Sequence, residues 1–146
     1  MKSLSDVMNK NVITISKETN LLEIIDIMKK HGVGRLPVVE NGKILGVVTR
    51  DDLLIKGEKA PVPPILAIND LTLAFTNNKE FKEKMKKYVA YDAEGLMRKE
   101  YFKVTKEDTI EYVITNILEE FEEFALVVEN EKLIGIVTKS DLINSI

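Results

Sequence analysis

The chain has 146 residues and a formal net charge of −3, with 45% hydrophobic and 31% charged residues, a mixture that buries a core and still dissolves. The acidic balance argues against general nucleic-acid binding, which needs a basic face, and with no cysteine there is neither a disulfide framework nor a thiolate metal site. No apolar run of roughly eighteen residues and no apolar leader after Met1 are present, so the expectation is a cytoplasmic protein without membrane association.

The first predicted element is a short β-branched strand, Val12–Ile15. A helix follows. Asn20 and Glu23 have capping-box spacing, and Leu21, Ile24, Ile25 and Met28 recur with the helical period. Gly32 is a natural stop. Two strands come next, Leu36–Val39 and Ile44–Thr49. Asn41-Gly42 joins them, and both residues tolerate the positive φ of a two-residue hairpin turn. Another helix starts after Thr49. In Glu58–Asp92, Pro61, Pro63 and Pro64 force an extended turn. Ile65–Phe75 is largely apolar and open between helix and small hairpin. Lys79–Tyr88 reads as a helix, with Phe81, Met85 and Tyr88 on one face and Glu80/Lys84 and Glu83/Lys87 spaced as charge pairs. This insert is expected to pack on its own domain; a dimer contact or a lid is the alternative.

The remainder repeats the first part, and such repetition outranks any local feature. One constant offset places Met8 on Met97, Val38-Val39-Glu40-Asn41 on Val127-Val128-Glu129-Asn130, and Gly46-Val47-Val48-Thr49 on Gly135-Ile136-Val137-Thr138. The same offset predicts a strand at Tyr101–Val104. The next helix carries Ile110, Val113, Ile114 and Ile117, with Asp108 and Glu111 at capping-box spacing, and has no obvious stop at Phe121. A hairpin turn at Asn130-Glu131 and a helix after Thr138 complete it. Two copies result, Leu4–Gly57 and Ala93–Ile146. One alone buries too little apolar surface to be comfortably stable. The expected fold is therefore mixed α/β (α+β): two tandem β-α-β-β-α repeats about a pseudo-twofold axis, sharing a core and a cleft, with a partly helical insert.

The pattern Gly-hydrophobic-hydrophobic-Thr-x-x-Asp occurs twice, at Gly46–Asp52 and Gly135–Asp141. Read locally, Thr-x-x-Asp at a helix start is close to a capping box. Read functionally, a carboxylate at a strand-to-helix corner accepts hydrogen bonds from a ribose diol, and backbone N–H groups there favour phosphate. Two copies in equivalent positions facing a cleft favour the functional reading.

The tandem repeat, Val33-Gly34-Arg35-Leu36-Pro37-Val38-Val39 and both Gly-h-h-Thr-x-x-Asp segments resemble the CBS domain. The resemblance implies a pair of clefts that bind AMP, ADP, ATP or S-adenosylmethionine, control of another protein, and homodimerisation. It also implies composite sites. The main site would join Ile136, Thr138 and Asp141 to Ile13, Thr14, Val33, Gly34, Arg35 and Pro37. There Gly34 leaves room for the ligand, and Arg35 neutralises phosphate. A weaker second site would join Val47, Thr49 and Asp52 to Lys103, which stands where Thr14 does. Its pattern has decayed: Glu123, Phe124 and Leu126 replace Gly34, Arg35 and Pro37, and Glu119, Glu120, Glu122 and Glu123 repel an anion.

The remaining polar residues add no chemistry. His31 sits at a predicted helix end, where a cation favours the dipole. Asp51-Asp52 point different ways, so no dedicated metal site is expected and magnesium would arrive only with a nucleotide. Phosphate-loop, dinucleotide and nucleophile-elbow motifs are absent. The expectation is a regulatory module without catalytic residues or a resident cofactor, its regulated protein unidentified; the alternative is a ligand-free structural dimerisation module.

Overall fold

A computed structural model describes residues 3–56, 91–120 and 122–145. The order of elements among them is α1 (Leu4–Val7), α2 (Leu21–His31), β1 (Arg35–Glu40), β2 (Lys43–Thr49), α3 (Arg50–Lys56), α4 (Ala93–Leu96), β3 (Lys103–Thr105), α5 (Ile110–Glu119), β4 (Phe124–Glu129), β5 (Lys132–Thr138) and α6 (Lys139–Asn144). This is the mixed α and β composition expected. The chain divides into two compact units. One comprises Met1–Ile13, Glu40–Ile44 and Glu100–Ile146; the other comprises Thr14–Val39 and Leu45–Lys99.

In the unit built on Thr14–Val39, α2 starts at a reciprocal cap. Asn20 Oδ1 accepts from the Glu23 N–H at 2.9 Å, and Glu23 Oε1 accepts from the Asn20 N–H at 3.4 Å. Leu21, Ile24, Ile25 and Met28 form the buried stripe. Lys29, Lys30 and His31 occupy the last turn, where cations suit the helix dipole. Gly32 ends the helix at φ 63°, the left-handed position where a side chain is strained. The segment around α4 is laced to this unit. Leu21 N–H donates to Tyr91 O, Ala93 N–H to Thr19 O, and Glu94 N–H to Lys17 O, at 2.9, 2.8 and 3.1 Å. Val47 and Arg98 then exchange backbone hydrogen bonds of 2.9 and 3.0 Å.

In the other unit, β3 pairs in parallel with β4, and β4 pairs antiparallel with β5 around a bulge at Val127/Val128. Lys43, at the tip of the first hairpin, pairs with Lys132, so the strand order reads β1-β2-β5-β4-β3. Leu4, from α1, lies wholly buried in a core with Val104, Val113, Ile117, Ala125, Val127, Val137 and Leu142. Asn9 and Ile136 exchange backbone hydrogen bonds of 2.8 and 3.0 Å. Each copy thus sends its opening segment into the unit formed by the other copy's sheet. The short helices α1 and α4 that begin these segments were not among the predicted elements. Their signal is a local cap: Ser3 donates to Asp6 Oδ2, and Asp92 Oδ1 accepts from the Gly95 N–H.

Three expectations need correction. The strand expected at Val12–Ile15 reduces to one parallel bridge, Ile15–Val38, because only Ile15 reaches the backbone of β1. Its counterpart runs from Lys103 to Thr105 rather than from Tyr101 to Val104. The cap of α5 is Thr109, whose Oγ1 accepts from the Tyr112 N–H at 3.0 Å. Asp108 is spent one turn earlier, accepting from the Thr105 N–H at 2.8 Å. The expectations for Ile65–Phe75 and Lys79–Tyr88 lie outside the described residues.

Candidate functional site

Both Gly-h-h-Thr-x-x-Asp segments form strand-to-helix corners, one from β2 into α3 and one from β5 into α6. Their glycines answer to packing. A Cβ on Gly46 would lie 2.6 Å from the Arg98 carbonyl oxygen and 2.7 Å from Met97 Sδ. On Gly135 it would lie 2.5 Å from Met8 Sδ and 3.3 Å from the Asn9 carbonyl oxygen. These glycines therefore exist to let the opening segments cross the strands at close range.

The two aspartates differ. Asp141 Oδ2 accepts from the Thr138 N–H at 2.9 Å and from the Thr138 hydroxyl at 3.0 Å, while Thr138 Oγ1 accepts from the Asp141 N–H at 3.4 Å. This is a closed capping box that fixes the carboxylate at the corner. At the other corner, Thr49 Oγ1 accepts from the Asp52 N–H at 3.0 Å. Asp52 Oδ2 lies 3.4 Å from Arg98 Nε. Both atoms are shut from solvent and, among the described residues, neither has a hydrogen-bond partner, so the pair attracts by charge without hydrogen-bond alignment. Arg98 is the repeat counterpart of Asn9, and the sequence reading missed it. Its only signal was its place after Met97, opposite the motif's glycine.

The expected site residues fall into the two units as follows. Thr14, Val33, Gly34, Arg35, Pro37, Val47, Thr49 and Asp52 belong to the unit that holds α2; Ile13, Lys103, Ile136, Thr138 and Asp141 belong to the other. Thr14 is exposed, Val33, Gly34 and Arg35 are half-buried, and Pro37 is buried, its carbonyl accepting from the Ile15 N–H at 3.0 Å. The Arg50 N–H donates to the Gly34 carbonyl at 2.8 Å, and Arg50 Nη2 donates to the Val33 carbonyl at 3.5 Å. Arg50, also missed in the sequence reading, thus stands beside the segment expected to hold ligand. Ile136 is almost fully buried, and Val47 wholly so; their side chains pack, and their backbone groups already bond to Asn9 and Arg98.

Lys103 opens onto a cleft of about 600 Å³ within its own unit, shared with Lys43, Tyr101, Thr105 and Glu107. Burial pushes the Tyr101 phenol above its ordinary value. Among the described residues, no group of three or more histidines and carboxylates is placed to hold a metal ion, and no helix is long and apolar enough to cross a membrane.

Comparison with known proteins agrees with this architecture. The CBS domain model matches residues 4–58 and 93–146. Inosine-5'-monophosphate dehydrogenase of Methanocaldococcus jannaschii is 28% identical over 98% of this chain, which spans 23% of that protein. The chain spans less than half the length of the curated relatives it matches. The CBS domain of a CBS domain containing membrane protein from Sphaerobacter thermophilus superposes with a TM-score of 0.77 at 21% identity, covering 99% of this chain and 87% of that one. CBSX2 in complex with AMP superposes with a TM-score of 0.73 at 19% identity, covering 99% and 96%. Repeated copies, repeated corners and a family match over most of the chain converge: the protein belongs to the CBS domain family, as a tandem pair.

Proposed function

We propose that the chain is a regulatory module, not a catalyst, that binds an adenosine-containing nucleotide and passes its presence to a partner protein. It works in the cytoplasm as a homodimer. The observation that carries the reading is the Thr138–Asp141 corner, where two hydrogen bonds hold Oδ2 and leave Oδ1 for a ribose diol. Ile136, Thr138 and Asp141 receive the ribose side of the main ligand; Ile13, Thr14, Val33, Gly34, Arg35 and Pro37 receive its base and phosphate. The likeness to an AMP complex of CBSX2 supports the same ligand class.

The second site, assigned to Val47, Thr49, Asp52 and Lys103, is the weaker one, because Arg98 already engages the Asp52 carboxylate that a diol would need. Magnesium enters only with a di- or triphosphate.

A ligand that binds only the folded state raises the melting temperature by mass action. Thermal shifts with AMP, ADP, ATP, S-adenosylmethionine and adenosine test the reading, with one tight site per chain expected. No shift from any of them at millimolar concentration overturns it. The second reading, a ligand-free structural module, is favoured by one fact: the Thr138–Asp141 bonds are a complete helix cap in themselves. Asp141→Ala separates the two. Capping alone costs about 1 kcal/mol of stability; the binding reading adds a loss of ligand affinity.

A further inference from the structure

We infer that Arg50 is a phosphate-reading residue, which makes the preferred ligand a nucleoside di- or triphosphate and not the cationic S-adenosylmethionine; this rests on the adenosine reading above and deepens it. The argument compares one position in the two copies. Gly34 has no positive φ, and a Cβ there would meet Arg50 Cζ at 3.7 Å, an ordinary contact. Packing therefore does not demand glycine at this position, unlike Gly46 and Gly135. With no side chain at Gly34, the Arg50 guanidinium lies directly against the backbone of this segment, at ordinary contact distance from where a Cβ would stand.

In the second copy the same two positions are Glu123 and Lys139, and there a carboxylate pairs with the cation. Glu123 Oε2 lies 3.7 Å from Lys139 Nζ. An internal anion thus sits against the cation of one copy, and among the described residues no ion pair holds Arg50 at the equivalent place in the other. Among the described residues, the hydrogen bond of the Arg50 guanidinium is a long one of 3.5 Å to the Val33 carbonyl, and the side chain is exposed. Guanidinium groups bind phosphate in bidentate fashion with strength that a neutral acceptor does not match. Arg35, next to Gly34 in the chain, adds a second positive charge.

Calorimetric titration of the full chain with adenosine, AMP, ADP, ATP, S-adenosylmethionine and inorganic tripolyphosphate tests this. Affinity is expected to rise from adenosine through AMP to ADP and ATP, with S-adenosylmethionine weak. Arg50→Gln should lower the ATP-to-adenosine affinity ratio and the tripolyphosphate affinity about tenfold, the worth of a charge-assisted hydrogen bond. Arg50→Lys should recover part of the loss, and Gly34→Glu, which imports the carboxylate of the second copy, should reproduce it. Equal affinity for adenosine and ATP, or an unchanged ratio in Arg50→Gln, overturns the inference and leaves the adenosine reading standing. Arg50-dependent tripolyphosphate binding without any adenosine response does the reverse. Silence from every compound removes both.

Discussion

Glycine 46 and Glycine 135 occupy the same motif position, yet they are held by different atoms. At Gly46 the nearest neighbour is the Arg98 carbonyl oxygen, which is fixed by its hydrogen bond from Val47. At Gly135 the nearest atoms belong to the Met8 side chain, whose torsions can turn aside. Gly46→Ala is therefore expected to cost about 1–3 kcal/mol as overpacking, and Gly135→Ala less, measured by urea denaturation of each variant. Ionisation at Tyr101 gives a second residue-scale test. Burial raises this phenol above 10.0 in the folded protein. On raising the pH through that value the unfolded chain loses its proton first, so folding loses stability from about pH 10 upward. Tyr101→Phe should flatten the fall of stability with pH in that range; an unchanged slope would show that the phenol is not desolvated. The motif residues were legible one by one, but the partners of Asp52 and Gly34 were not. Arg98 is remote in sequence from Asp52, and Arg50 from Gly34, so no spacing rule links them.

Among the elements, helices and hairpins were the most legible because their signals are local. The stripe of Leu21, Ile24, Ile25 and Met28 and the stop at Gly32 were read directly, and both are seen. The cap of α5 was misread because Asp108 and Thr109 are adjacent and both suit a cap; only the turn at Thr105 decides which one is free for it. Thr109→Ala should weaken α5 by about 1 kcal/mol and expose the Tyr112 amide to hydrogen exchange. Asp108→Ala should leave that amide protected and loosen the Thr105 amide instead. The second hairpin turn carries Asn130 at φ 51° and Glu131 at φ 66° where the first has Asn41 and Gly42. A non-glycine residue in this region costs about 1–2 kcal/mol, while the exposed Lys43–Glu131 ion pair of 3.3 Å returns little. Glu131→Gly should raise the urea midpoint; a lower midpoint would mean the ion pair outweighs the backbone strain.

At the scale of the whole molecule, the opening segments are exchanged between the copies. Leu4 precedes the first copy's helix, yet its side chain is wholly buried in the core of the second copy's sheet. Leu4→Ala should cost about 2–5 kcal/mol, and hydrogen exchange should speed up first in β4 and β5 rather than in α2. Faster exchange confined to α2 would place Leu4 in the wrong core. Repetition, hairpins, the cap of α2 and the two corners could be read from the chain alone, since each depends on residues a few positions apart and on the fixed periods of helix and strand. Folding alone decided which copy receives each opening segment, that Asp52 faces Arg98, and that Lys139 meets Glu123 where Arg50 meets a glycine. Those choices bring together residues far apart along the chain, and local periodicity carries no information about which distant surface a segment will cover.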